Sequence, residues 1–373
     1  MNLQSFLRTD RSVIAILFVL ALVAGLASLP FAFRTKAALP PAEAGLPNYD
    51  IRLDKEAKPV LDSYRQIAGR SEASIVEFRD NFSRAENNLR RVVPTLTTVY
   101  SEDLRIPEVI ATDVKRGKAF LSRPSSQKRS DVLKAFLRDN SDLIGARANQ
   151  IDELKVVADY TNPDGNLSFV ELNQEINGIP VFRGEVKAGF TKAVEIIRVI
   201  NNFASGIDPA SVSKDFGDPA SAVAAAARHI NVAPEKLDLT SNQSSTDLRS
   251  VFGNGDSATT AEKMYFPTEP GVVIPSWRVL IWQPANAYYI VVDDQGMMLW
   301  RKNLTDHQTQ PATYSVYASP SAMLNIAHSP FPFSPGPISP AGQQGTPISR
   351  SNVTRIGNEA PYTFNQLGWI PDG

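Results

Sequence analysis

The chain has 373 residues, 43% of them apolar, and a formal charge of -1 from 38 basic and 39 acidic side chains. That length and apolar content suffice for two compact domains, and the balanced charge provides no global field to recruit nucleic acid. Cysteine is absent, which excludes disulfides, thiolate catalysis and thiolate metal sites.

Arg8 and Arg11 precede an almost unbroken apolar run, Val13 to Leu29, with the small residues Gly25 and Ala27 where a signal peptidase cuts before Ser28. Apolar character persists to Phe33, ahead of Arg34 and Lys36, so the same run also has the length of a retained membrane anchor. Either reading exports the protein, secreted or held at a membrane through residues 13–33. A Pro- and Ala-containing linker over 37–50 leads into two predicted helices, Lys55 to Ile67 and Ser71 to Arg91. The second carries Ile75, Phe78, Phe82, Ala85 and Leu89 on one stripe.

Residues 92 to 130, with Pro94, Pro107 and Pro124, read as irregular. Ser130 is placed to cap a helix over Asp131 to Asn140 that buries Val132, Leu133, Phe136 and Leu137, and Leu143, Ile144 and the Gly145 break close it. A strand over Leu154 to Tyr160 and a Pro163-Asp164-Gly165 turn follow. Between Ser168 and Thr191 apolar residues alternate, Val170, Leu172 and Ile176 before Asn177-Gly178 and Phe182, Val186, Ala188 and Phe190 after it. The period and the Asn-Gly pair predict an antiparallel hairpin, with Pro180 near a strand start where its missing N–H costs no ladder bond. Glu195 to Ala204 completes a four-stranded meander against the helix, with Ile197, Val199 and Phe203 inward.

The scheme then repeats. Pro219 to Ile230 reads as an alanine-rich helix, 240 to 261 as a polar loop, and Lys263–Phe266, Val273–Trp282, Tyr288–Asp293 and Met297–Lys302 as strands, the last two joined by Asp293-Asp294-Gln295-Gly296. Trp277, Trp282, Tyr289 and Trp300 are expected to anchor that sheet. The stretch 319–347 holds seven prolines, Pro320, Pro330, Pro332, Pro335, Pro337, Pro340 and Pro347, and suits extended loops.

Catalytic chemistry is not legible. The three histidines, His229, His307 and His328, form no His-Glu-x-x-His helix, and no Gly-x-Ser-x-Gly elbow is present. Gly253-Asn254-Gly255-Asp256 lacks the lysine and following helix of a phosphate loop and reads as a turn. The carboxylates of Asp293 and Asp294 are explained by their own turn, and His229 by its place at a helix end. No catalytic, cofactor-binding or metal-ligating residue is therefore expected in this chain.

Three stretches carry a resemblance. Ser130 to Gly145, Asn177 to Val186 (Asn-Gly-Ile-Pro-Val-Phe-Arg-Gly-Glu-Val) and Val199 to Phe203 resemble the fungalysin/thermolysin propeptide domain. Pro275 to Val279 and Gly296 to Leu304 are similar to the PepSY-like half of the same pro-region. Ile356 to Pro361 and Gly368 to Gly373 resemble the opening of a fungalysin-type catalytic domain. Lys192-Ala193-Val194 departs from the Asp-Gly that the family often has in the turn after the hairpin.

The resemblance implies an α+β protein of two small helix-plus-antiparallel-sheet units, 130–208 (propeptide) and 209–305 (PepSY-like). Before them come a signal or anchor at 1–36 and a linker and helical region at 37–129; after them, 306–373, a processing linker and the Pro-rich start of an incomplete peptidase domain. It implies a chaperone and inhibitor of a zinc metallopeptidase, whose catalytic domain is the expected partner and holds the zinc. The motif residues are Asn177, Gly178, Ile179, Pro180, Val181, Phe182 and Gly184, and the expected processing segment is Asp306, His307, Gln308, Thr309 and Gln310. The rival expectation is a membrane-anchored, non-catalytic module that binds a peptide or polymer.

Overall fold

A computed structural model of the chain describes residues 45–305, except Ala285, and the backbone of 312–316 and 351–355. The apolar run at 13–33, the processing segment Asp306–Gln310 and the stretch 319–347 lie outside the described residues. The chain divides into two compact units, 1–44 with 306–373, and Gly45–Thr305.

The second unit is α+β. It runs β1 (Tyr49–Asp50), α1 (Lys58–Ile67), α2 (Glu72–Val92), β2 (Leu96–Tyr100), β3 (Pro107–Thr112), α3 (Arg129–Asp139), α4 (Ser141–Ile144) and α5 (Ala148–Asp152). Then follow β4 (Lys155–Thr161), β5 (Ser168–Ile176), β6 (Ile179–Phe190), β7 (Ile196–Asn201) and α6 (Pro219–Arg228). The last five strands are β8 (Arg249–Phe252), β9 (Thr259–Glu269), β10 (Val272–Trp282), β11 (Ala287–Asp293) and β12 (Met298–Asn303).

Both predicted N-terminal helices form. Ser71 and Ser74 exchange side-chain and backbone hydrogen bonds as a capping box that starts α2, and Ile75, Phe82 and Leu89 are buried along its stripe. Ser130 is not a cap: α3 starts from Lys128, which makes no side-chain cap bond, and Ser130 falls in the first turn. Gly145 ends α4 at φ 71, the left-handed conformation that favours glycine.

The predicted meander is present as the antiparallel order β4-β5-β6-β7. It continues where irregular chain was expected, because β3 pairs with β7 and β2 with β3. The prolines misdirect the reading: Pro94 precedes β2 and Pro107 opens β3, positions where a missing N–H breaks no ladder, while Thr97, Thr98 and Val99 are good strand residues. The predicted polar loop at 240–261 also contains a strand, β8, whose four residues pair with β9. In β7, Ile196 rather than Ile197 turns inward, since a register irregularity at Gly189/Phe190 shifts the alternation. Thr191 shapes the unusual turn after β6: its hydroxyl accepts from Ala193 N–H and Glu195 N–H and donates to Glu195 Oε2, and Val194 takes φ 60.

One twelve-stranded sheet results, whose two parts meet at β6; β8 through β12 with β1 form the second part. The first part packs one face on α2 to α5 through Leu133, Leu137, Ile144, Leu172, Val186 and Phe190. The second is covered on both faces, by α6 through Val223, Ala226, Trp277 and Tyr288 and by α1 through Tyr64, Phe266 and Leu299. Of the predicted aromatic anchors only Trp277 is fully buried, donating its indole N–H to Phe216 O at 2.6 Å. Trp282 is exposed, Tyr289 and Trp300 are half-buried, and Tyr288 and Tyr265 fill the interior instead.

In the first unit, β13 (Ala312–Val316) and β14 (Ser351–Arg355) form an antiparallel pair.

Candidate functional site

The hairpin of β5 and β6 is built as its sequence predicts. Ile176 pairs with Ile179, and Asn177 and Gly178 between them take φ 53 and 78, the two positive values of a tight hairpin turn. The Asn177 amide donates to Pro209 O at 2.9 Å, and exposed Pro180 sits second in β6 opposite Glu175.

From there the motif residues separate. Ile176, Ile179 and Val181 join the α6 side of the second core, whereas Phe182 turns to the α1 side, 5.0 Å from both the Phe266 and Trp300 rings. Val186, Ala188 and Phe190 enter the first core. The predicted single row of inward residues is thus split between cores, with Phe182 apart from Val186. Between them Arg183 adopts φ 53 and lays its guanidinium on Phe182 and Trp300, 5.4 and 5.2 Å from the ring centres. Gly184 is required by the same bend: a Cβ there would lie 2.6 Å from the Val181 Cβ. Val181 itself pairs in parallel with Tyr265 of β9, and through that bridge the hairpin joins the two parts of the sheet.

The other face of the β4–β7 sheet lies opposite the helices. Tyr160 and Phe169 stack there at 5.3 Å, and Leu167, Ile197 and Ile200 complete an apolar depression of about 300 Å³. Tyr160 is 57% exposed, although it is a large ring. Gly189 adds no side chain over Phe169, which leaves that part of the floor open. The rim is charged: Lys187 lies 3.5 Å from Glu171 and 3.2 Å from Glu185, and exposed Arg198 has no ion pair among the described residues. Burial works against the Lys187 ammonium, but the two glutamates hold its pKa above the usual lysine value.

Sequence reasoning missed this face. Alternation marks one side of each strand as core and assigns the other to solvent by default; the available signal was Tyr160 and Phe169 standing at facing positions on that other side. Among the described residues no cluster of three or more His, Asp or Glu is placed to hold a metal ion, and no helix is long and apolar enough to cross a membrane. Asp293 uses both oxygens within the protein, accepting from Gln295 N–H and Met297 N–H and from the Tyr64 hydroxyl. His229 Nε2 meets Gly296 O at 2.9 Å.

Residues 152–203 match the Fungalysin/Thermolysin Propeptide Motif. The match begins at the last residue of α5 and runs through β4, β5, β6 and β7, so it coincides with the strands that carry the hairpin and the open apolar face. No curated protein matches the chain.

Proposed function

We propose that this chain is the exported pro-region of a fungalysin-type (thermolysin-like) zinc metallopeptidase, assisting the folding of the catalytic domain and holding it inactive. The observation that carries the reading is the overlap of the propeptide match with a sheet having one face packed on helices and the other apolar and open. Exposed apolar depressions rimmed by charge are the usual form of a protein contact surface.

On this reading Tyr160, Phe169, Leu167, Ile197 and Ile200 bind the catalytic domain, with Lys187 and Arg198 at the polar rim. The hairpin Asn177–Gly184 is the joint that fixes this face relative to the PepSY-like part at 209–305. The zinc belongs to the partner. Asp306–Gln310 is the segment cut on activation, residues 13–33 direct export or anchor the protein, and the chain itself is not the catalyst.

The test is inhibition and refolding of thermolysin-type catalytic domains with the full chain. Slowed peptide hydrolysis and a higher refolding yield are expected, and Phe169→Asp, which adds a charge to the open face, weakens inhibition by about 30-fold or more, as for a central interface residue. Neither inhibition nor refolding assistance across a panel of such domains would overturn the reading.

A further inference from the structure

Strand β4 is a free edge: it pairs with β5 and, among the described residues, with no strand on its other side. Val156, Val157 and Tyr160 are all exposed along it. Free edges are ordinarily guarded by proline, by outward lysines or by a covering element. β4 has no proline, and its charged residues are engaged within the protein: Lys155 Nζ lies 2.6 Å from Glu175 Oε2, and Asp159 Oδ1 lies 2.5 Å from Arg129 Nη2. A register irregularity between Val156 and Ala158 leaves Val157 without a partner on β5, so the regular part of the edge is Ala158–Thr161.

The ladder determines which backbone groups are free there. Asn162 N–H donates to Leu167 O just beyond the strand. Bonded pairs alternate along an antiparallel ladder, so Tyr160 is bonded to Phe169, and the N–H and C=O groups of Asp159 and Thr161 point away from β5. The side chains of Asp159 and Thr161 lie on the helix side, where Arg129 also donates to Thr161 Oγ1 at 3.3 Å and to Ser168 Oγ at 3.0 Å. The Tyr160 ring lies on the opposite face, stacked on Phe169.

We infer that this edge pairs with the same edge of a second copy of the chain, β4 antiparallel to β4 about a two-fold axis at Tyr160. Setting Asp159 opposite itself would bring like charges face to face, and setting Thr161 opposite itself would bring Asp159 against Pro163, which has no N–H to give. The remaining register that joins the outward groups sets Asp159 opposite Thr161 of the second copy, and the reverse. Each Asp159 carboxylate then meets the Arg129 that serves the facing Thr161, and the Tyr160 rings lie side by side over the axis, joining two open apolar faces into one. The edge is thus complementary to itself in hydrogen bonding and in charge. The inference stands whether or not the open face binds a catalytic domain.

The chain has no cysteine, so a single introduced thiol reports one position. In the full chain, Tyr160→Cys is expected to form an intermolecular disulfide on mild oxidation, because facing non-bonded residues have Cα atoms about 4.5 Å apart, within disulfide range. Val99→Cys, exposed on β2 at the far edge of the same part of the sheet, is the control and stays unlinked. In sedimentation equilibrium the wild type is a dimer that dissociates on dilution. Tyr160→Lys, which sets two ammonium groups face to face, raises the dissociation constant by about tenfold or more, while circular dichroism shows the fold retained at this exposed position. Equal cross-linking of the two cysteine variants, a monomeric wild type, or self-association that Tyr160→Lys leaves unchanged, as association through residues 13–33 would be, overturns the inference.

Discussion

Tyr64 carries more of the structure than its position on a short helix suggests. Its hydroxyl donates to Asp293 Oδ2 at 2.6 Å in the interior and so ties α1 to the turn between β11 and β12. Tyr64→Phe leaves a buried carboxylate oxygen without that donor and is expected to cost about 1–3 kcal/mol, read from denaturant midpoints at neutral pH. Tyr49 and Tyr100 make the same type of bond, to Asp54 and Glu86. Burial first, and then the carboxylate partner, raises Tyr49 and Tyr100 to about 12, and Tyr64 is raised further by the same causes. The unfolded chain releases these protons near 10.0, so the folded state holds them more tightly. Stability from this source is complete below pH 10 and is lost as pH rises through 12. The Tyr49→Phe, Tyr64→Phe, Tyr100→Phe triple variant should therefore be less stable at pH 8 yet fall less steeply between pH 10 and 12, and an equally steep fall would refute the assignment.

At the scale of elements, β6 contrasts with strands that keep one register from end to end. Its first residues belong to one core and its last to another, and the change is made within Val181, Phe182, Arg183 and Gly184. Two glycines of the motif serve different ends. Gly178 faces open space, so Gly178→Ala costs only its φ of 78, about 1–2 kcal/mol. Gly184→Ala drives a Cβ into Val181 and towards Gln174, and is expected to cost at least 2 kcal/mol with both parts of the sheet destabilised together. Comparable losses for the two variants, measured by chemical denaturation, would count against the bend as a joint. The hairpin was legible in sequence because period-two alternation and Asn-Gly are local signals. The bend was not, because its cause is a parallel bridge to Tyr265, distant along the chain. The same reason hid β8, which is defined by its pairing with β9, and the open face, whose residues matter through neighbours on adjacent strands, whereas β2 and β3 were masked by the prolines at their starts.

For the whole molecule, the sequence suggests two consecutive units, and the described chain between Gly45 and Thr305 gathers as one. What composition conveys is the number of cores; what it leaves out is that α1 and β1, early in the chain, complete the last one. β1 pairs with β12, Tyr49 opposite Arg301, and the contact is reinforced by Leu46 N–H to the Tyr288 hydroxyl and by Asn303 N–H to Asn48 Oδ1. Beginning and end of this unit thus leave the same sheet edge side by side. Chain direction there is a matter of where the polypeptide happens to be open. A circular permutant that joins Thr305 to Gly45 through a short Gly/Ser linker and opens the exposed Asn254–Ser257 loop should fold to the same sheet and keep its unfolding midpoint within a few degrees, about what moving the termini to an exposed loop costs. Failure of that permutant to fold would mean that the order in which β1 and β12 are made, and not only their pairing, is part of the design.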